Sequence, residues 1–290
     1  MNCLCSLDRV KWERLTVIVV DNGSTDGTVD CVRKAHGDAR LIRTGANLGF
    51  AEGNNVGIRA ALSLGADYVL VLNNDTTVAE DVVSELVSAA SELSDAAAVC
   101  PMIYFAEPAD VIWYAGATFD PARSHSGRMT GYRELDRGQY SGVRRVDRAV
   151  GAAMLVPRRA IETTGLFDEE LFLYYEDVEW SLRAQAHGLS VYLAPTARVW
   201  HSVSAAAGGE ESLVSAYYGT RNHLCVLERY RPLKGRARRR RRTGVLLVHA
   251  AAARRSRAPI PYLRAVASGW RDAARGHLGR RPQPAVRDSR

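Results

Sequence analysis

The stretch "YVLVLNND", residues 68 to 75, sets five apolar or aromatic side chains ahead of Asn73, Asn74 and Asp75. A run this continuous reads as a strand buried on both faces, as in a parallel sheet covered by helices. Its polar ending poses the functional question, because ligands of open α/β sheets gather beyond the carboxyl ends of the strands.

Outward from this strand the chain alternates strand and helix signals. Upstream, "LTVIVVDN" (15–22) and "ARLIRT" (39–44) read as strands, with "TVDCVRKAHG" (28–37) as a short helix between them. A further helix is predicted from about Asn54 or Asn55 to Leu64, stopped by Gly65. Downstream, Thr77 and Glu80 form a capping-box pattern expected to start the helix "VAEDVVSELVSAASEL". Residues 106–150 are irregular, as in a loop or hairpin region. "AVGAAMLVPRRA" (149–160) then gives a strand leading into a helix that ends near Gly165. In "FDEELFLYYEDVEWSLRAQAHG", Val178, Leu182 and Ala186 share one helical face and Gly188 is the stop; "LSVYLAP" (189–195) and "ARVWHS" (197–202) read as closing strands. No internal repeat is visible. The pattern predicts an α/β fold with a mostly parallel sheet flanked by helices.

Composition is that of a globular chain: 290 residues, 47% hydrophobic and 24% charged. Cys3, Cys5, Cys31, Cys100 and Cys225 form no CxxC pair and read as reduced thiols. Charge is uneven: 18 of the 39 Lys and Arg but only 2 of the 32 acidic residues fall in residues 231–290, so the tail carries about +16 and the body about −9. The longest apolar run of the tail, "VLLVHAAAA", is about half a membrane span. The opening "MNCLCSLDRVKWERL" carries charges where a secretory leader has its apolar core.

Polar clusters close two of the strands. Asp21 and Asn22 in "VVDNGSTDG" suit a turn as well as a ligand site. In "LNND", Asp75 is available for a hard divalent cation, which needs only one or two protein carboxylates when substrate phosphates supply the rest. Glu176, Asp177 and Glu179 open a later helix, where the dipole favours carboxylates, and Leu173, Tyr174, Tyr175 and Trp180 surround them with apolar bulk suited to a general base. His201, after "ARVW", gains significance only with a partner.

Together "DNGSTDG", "NLGFAEGNNVG", "LNND", "GAAMLVPRRA", "GLFDEELFLYYEDVEW" and "VWHS" resemble family 2 glycosyltransferases, in their rhamnosyltransferase-like branch. The resemblance covers about residues 1–230. It implies a GT-A (Rossmann-like) fold, a nucleoside-diphosphate sugar donor, a divalent metal (Mg or Mn) and inversion at the anomeric carbon. Carried over, it places Asp21 and Asn22 at the base of the nucleotide, and Asn47, Gly49 and Asn54 in the loop that closes over it. Asn73, Asn74 and Asp75 stand at the DxD motif, with Asp75 and His201 as metal ligands. Asp177 stands as the catalytic base, with Glu176 beside it. Asn73 replaces the first aspartate of the motif, which weakens direct coordination there. The QxxRW signature of processive members is missing, so single-sugar transfer is expected.

The resemblance also implies a first apolar strand some 20 residues upstream of Met1. Without it the chain is expected to be poorly stable, and the alternative reading is a catalytically impaired nucleotide-sugar binding protein. A sugar-nucleotide nucleotidyltransferase would need a Gly-rich phosphate loop that is not seen. Residues 1–230 are expected to form the transferase domain and 231–290 a basic, amphipathic helical extension. Arg interleaved with Leu, Val and Trp270 suits an anionic membrane surface better than nucleic acid. The expected location is cytoplasmic, peripheral on the inner face of the membrane, with a glycan or lipid-linked acceptor.

Overall fold

The computed structural model describes residues 1–120, 126–202 and 212–281. Helix α1 (Asn2–Leu7) precedes β1 (Ile18–Asp21), α2 (Thr28–Ala35), β2 (Arg40–Arg43), α3 (Gly49–Ser63), β3 (Tyr68–Leu72), β4 (Thr76–Val78), α4 (Val82–Glu92) and β5 (Ala96–Phe105). Short strands β6 (Ile112–Tyr114), β7 (Ala117–Asp120), β8 (Ser126–Met129) and β9 (Arg144–Val146) fill the region of irregular sequence. They lead to β10 (Ala153–Pro157), α5 (Arg158–Thr164), α6 (Glu176–Ala186) and β11 (Ser190–His201). Helices α7 (Leu213–Tyr230), α8 (Gly235–Ala251) and α9 (Pro259–Arg275) close the described chain.

The main sheet runs β3-β10-β5-β11-β4, with β6 on β5 and β9 on β11. Its strand directions correct the expectation of a mostly parallel sheet. Only β5 and β11 pair in parallel there; β10 is antiparallel to both β3 and β5, and β4 is antiparallel to β11. The apolar runs of β5 and β10 report burial on both faces correctly, since nearly every residue in them is buried. They carry no information on direction, which is set by the excursion through residues 106–150 that returns β10 reversed. Strands β1 and β2 pair in parallel as a separate two-stranded sheet.

Three local expectations also change. Thr77 does not cap a helix: it lies in β4, paired with Trp200, while Glu80 binds Lys11 at 2.7 Å. The helix starts at Val82, with Asp81 at its N-cap. The tight turn from β3 into β4 explains this, because it uses the Thr76 hydroxyl, donating to the Asn73 carbonyl at 2.6 Å. Helix α3 begins at Gly49, about five residues earlier than predicted, since Asn47 Oδ1 accepts from the Gly49 N–H and ties off its first turn. The two closing strands are one continuous β11, irregular between Ala194 and Arg198.

The core lies between the sheet and α3, α4, α5 and α6. Helices α7, α8 and α9 pack on one another, so the basic segment shares a helical layer with residues ahead of it. Some of its apolar residues are spent on that packing: Val245, Tyr262, Ala265 and Val266 are buried, and Trp270 faces the Arg242 guanidinium. No helix among the described residues is long and apolar enough to cross a membrane.

Candidate active site

The strand ends, the α3 loop and the start of α6 converge on one cleft of about 1510 Å³, whose walls include Asp21, Asn22, Asn54, Asn73, Asn74, Asp75, Asp177 and His201. At its β1 end Asp21 is buried and its Oδ1 accepts from the Ser24 N–H at 3.0 Å. Hydrogen bonding from Ser24, and then the nearby Arg43 guanidinium, hold this carboxyl below the usual range against the opposing effect of burial. Asn22 braces the next loop. Its Nδ2 donates to the Gly49 carbonyl at 2.8 Å and its Oδ1 accepts from the Leu48 N–H at 2.9 Å. Gly49 is fixed by geometry, with φ +86° and a Cβ that would stand 2.4 Å from the Phe172 carbonyl oxygen. Asn54 donates to the Phe50 carbonyl at 2.9 Å.

Asp75 sits in the turn after β3, opposite the end of β11. Its Oδ1 lies 3.0 Å from His201 Nε2, yet the pair lacks hydrogen-bond alignment, and both Asp75 Oδ1 and His201 Nδ1 are buried without a hydrogen-bond partner. The His201 ring is set edge-on to Trp113, with centroids 4.7 Å apart. A carboxylate oxygen and an imidazole nitrogen converging on the cleft, with Asp75 Oδ1 lacking a hydrogen-bond donor, fit a divalent cation that completes its shell with substrate phosphates. Among the described residues no group of three or more His, Cys, Asp and Glu forms a closed metal cage. Asn73 contributes its backbone, donating to the Ala152 carbonyl at 2.9 Å, and Asn74 is exposed.

Asp177 opens α6 and lines the same cleft. Its Oδ1 accepts from the Val178 N–H at 2.7 Å and its Oδ2 from the Gly151 N–H at 3.0 Å, while Ser181 ties the same helix to Ala149. Arg148, absent from the sequence reading, places Nη1 3.9 Å from Asp177 Oδ2. It is 8% exposed and its Nε has no partner. Its position directly ahead of the "AVGAAMLVP" run is the signal that could have marked it. Glu176 is buried with Oε2 unpaired; burial, and then the Asp177 charge, push its carboxyl up to about 8.

The loop ahead of α6 is strained, with φ of +64°, +67° and +73° at Phe172, Tyr174 and Tyr175. Helix α7 holds it in place. Asn222 Nδ2 donates to the carbonyls of Leu171, Leu173 and Tyr174 at 2.9, 2.9 and 2.7 Å, and Arg221 Nη2 donates to Leu171 at 2.9 Å. Tyr175 stacks on His223 and Phe172 on Tyr218. After α9 the chain returns to the site, where Gly279 N–H donates to the Glu170 carbonyl at 2.7 Å and Arg280 to that of Asn47 at 3.2 Å.

Comparison with known proteins identifies the family and the fold. The model for "Glycosyl transferase family 2" matches residues 2–147. An N-acetylglucosaminyl-diphospho-decaprenol L-rhamnosyltransferase of Mycobacterium tuberculosis is 30% identical over 252 residues, covering 78% of this chain and 79% of its own. The dTDP-rhamnosyl transferase RfbF of Shigella flexneri is 27% identical, covering 77% and 74%. Among solved structures, GalNAc-T7 with UDP, GalNAc and Mn2+ superposes with a TM-score of 0.59 at 16% identity, over 78% of this chain and 44% of that one. TarS 1-349 of S. aureus in complex with UDP gives 0.53 at 12% identity, over 95% and 87%. These two share the GT-A fold with this chain. With a glycosyltransferase fold, a matching family model and rhamnosyltransferase relatives across most of its length, the chain belongs to glycosyltransferase family 2, as a rhamnosyltransferase-like member.

Proposed function

We propose that the protein is an inverting, metal-dependent, non-processive glycosyltransferase that moves one sugar, rhamnose, from a dTDP donor to a lipid-linked glycan. The observation that carries the reading is the placement of Asp177 and the Asp75–His201 pair in walls of one cleft. The names of the relatives support the donor sugar and the lipid diphosphate acceptor.

In this reading Asp21 and Asn22 receive the nucleotide base, and the Asn47–Gly49 loop with Asn54 closes over it. A divalent cation, Mg or Mn, held by Asp75 and His201 would supply charge neutralisation at the diphosphate. Asp177 Oδ2 takes the proton of the acceptor hydroxyl as that oxygen bonds to the anomeric carbon. The bond from that carbon to the diphosphate breaks on the opposite face, and its electron pair leaves with the nucleoside diphosphate. Val178 and Gly151 N–H groups fix the carboxylate in position for this transfer. Burial, and then the Asp177 charge, raise the Glu176 carboxyl above its usual range, which favours its neutral form beside the base.

Membrane attachment is the second part of the proposal, with the enzyme on the cytoplasmic face. Leu247, Val248, Ile260 and Leu263 are exposed around the α8–α9 corner, in the same stretch as exposed Arg254, Arg255 and Arg257. Exposed apolar residues interleaved with arginines suit an anionic bilayer surface. Residues 282–290 of the basic segment lie outside the described residues. A transfer assay tests the activity, using dTDP-rhamnose, UDP-glucose, UDP-N-acetylglucosamine and GDP-mannose against a polyprenyl-diphosphate N-acetylglucosamine acceptor. The anomeric configuration of the product is read by NMR. Turnover with inversion and dependence on Mg or Mn is expected; no transfer from any donor would leave a nucleotide-sugar binding protein. Flotation with anionic liposomes tests the tail.

A further inference from the structure

The guanidinium of Arg148 is buried, yet it donates no hydrogen bond among the described residues. Its ion pair with Asp177 Oδ2, at 3.9 Å, lies beyond the roughly 2.7–3.2 Å of a hydrogen bond. Both oxygens of Asp177 already accept, from the Val178 and Gly151 N–H groups. Arg221 shows how the same chain treats a structural arginine: it is 1% exposed and donates to the Asn222 side chain and to the carbonyls of Glu170, Leu171 and Gly279. Arg241 also keeps unpartnered nitrogens, but it donates to the Arg231 carbonyl and is not in the cleft wall.

Taking a cation out of water is costly unless hydrogen bonds from its charged group offset the loss. The backbone gives Arg148 no retreat: Tyr114 O–H donates to its carbonyl at 2.8 Å, and the next N–H, of Ala149, donates to Ser181 Oγ at 3.0 Å. The residue lines the large cleft, and of its three side-chain nitrogens only Nε is sealed without a partner. Arg14, the other arginine of that wall among the described residues, is exposed. A fixed, largely desolvated guanidinium in a cleft wall is complementary to an anion that enters the cleft.

We infer that Arg148 binds a phosphate carried by the acceptor, on the sugar whose hydroxyl meets Asp177. The inference rests on the proposed transfer to a lipid-linked glycan. A hydroxyl within about 3 Å of the base oxygen stands at most about 7 Å from Arg148 Nη1, given the 3.9 Å between Nη1 and that oxygen. A charge-assisted hydrogen bond adds about 2.8 Å to this reach. A phosphate on the same sugar ring as the reacting hydroxyl falls inside it. The donor diphosphate is the other source of phosphate, but in an inverting displacement it leaves from the face opposite the incoming hydroxyl. The ion pair of Arg148 is with the base and not with Asp75, which pairs with His201. Its planar fork suits two phosphate oxygens at once and so favours a phosphorylated acceptor over a neutral glycoside.

The test is calorimetric titration of the full chain, its donor site filled with dTDP and magnesium, by two probes: octyl N-acetylglucosaminyl diphosphate and octyl N-acetylglucosaminide. The wild type is expected to bind the diphosphate at least 10-fold more tightly than the neutral glycoside. Arg148→Gln should weaken the diphosphate about 10- to 100-fold, the worth of hydrogen bonds to a charged group, and leave the glycoside within about threefold. Arg148→Lys should keep part of the affinity. Equal affinity of the wild type for both probes, or equal losses for both in the Gln variant, overturns the inference. A loss seen only with the donor site empty, together with weaker dTDP binding by the variant, gives the anion to the donor and overturns the acceptor assignment. Should Arg148→Gln impair folding, Arg148→Met removes the buried charge at similar length and gives the same comparison. The readout needs no turnover. Arg148-dependent capture of the diphosphate without transfer sinks the proposed reaction and keeps the phosphate site, whereas transfer with binding indifferent to Arg148 does the reverse.

Discussion

Arg148 Nη1 stands 3.9 Å from Asp177 Oδ2, with both side chains largely buried. Two unit charges at that distance interact by about 4 kcal/mol at an effective dielectric of 20, before the cost of burying the guanidinium. Much of that attraction is consumed by desolvation, yet the cation still helps to hold the carboxylate in place. Arg148→Gln is therefore expected to lower kcat about 10- to 30-fold, near 1.4 to 2 kcal/mol of barrier, with donor KM little changed. Arg148→Lys should recover part of the loss. Steady-state kinetics at saturating acceptor check both variants; a Gln variant with wild-type kcat would exclude this role.

Asp177→Asn keeps the shape and the Gly151 contact but removes the proton acceptor. General base catalysis contributes about 10²- to 10⁴-fold, so transfer should fall by at least 100-fold. Nucleotide-sugar affinity, measured by calorimetry, should stay within about threefold because Asp177 makes its contacts with Gly151, Val178 and Arg148, not with Asp75 or His201. Retention of a tenth of the wild-type turnover would remove Asp177 from the base position.

Asp75 and His201 should act as a unit. Asp75→Ala and His201→Ala are each expected to abolish the gain in nucleotide affinity on adding magnesium or manganese, and the double variant should lose little more. Calorimetric titration of UDP and dTDP with and without the metal separates this from a structural defect. The latter would weaken binding in both conditions.

Much of this site can be read from the sequence, because strand ends and helix starts announce themselves by a switch from apolar to polar residues. Asp21, Asp75, Asp177 and His201 lie at such switches, and the fold brings them to one cleft. Thr77 differs from its sequence expectation because Thr-x-x-Glu has the same local pattern in a strand as at a helix start, and only pairing with Trp200 distinguishes them. Strand direction was illegible for a similar reason: β10 is apolar throughout, whichever way it runs. Arg148 and Asn222 escaped because their significance depends on contacts with residues 29 and 48 to 51 positions away. In the basic, amphipathic helical extension, period alone does not say whether Val245, Tyr262 and Val266 face lipid or each other.

Glu176 gives a pH signature. Its carboxyl rises from 4.5 to about 8 on folding, so between those values the folded protein holds a proton that the unfolded chain has lost. Stability then falls as pH rises through this window and levels off above it. Glu176→Gln removes the titration and should be the more stable form at pH 8 by an amount on the order of a few kcal/mol, with the gap closing toward pH 4.5. Urea unfolding midpoints across pH 4.5 to 9 check it; parallel curves for the two proteins would show that Glu176 ionises freely.

Asn222 is fully buried on α7, and its amide nitrogen serves three carbonyls of the strained loop that precedes Asp177. Each positive φ in that loop costs about 1–3 kcal/mol, so the conformation persists only while these donors hold it. Asn222→Ala leaves the carbonyls of Leu171, Leu173 and Tyr174 without this donor, and a loss of about 2–4 kcal/mol in unfolding free energy is expected. Release of the loop also unseats the first turn of α6. At a temperature where the variant is still folded, kcat should drop at least tenfold while magnesium-dependent nucleotide binding at Asp75 and His201 persists. Asn222→Asp, which cannot donate to carbonyls, should behave like the alanine variant rather than the wild type. A variant that lost stability but kept kcat would mean that the loop conformation does not depend on α7.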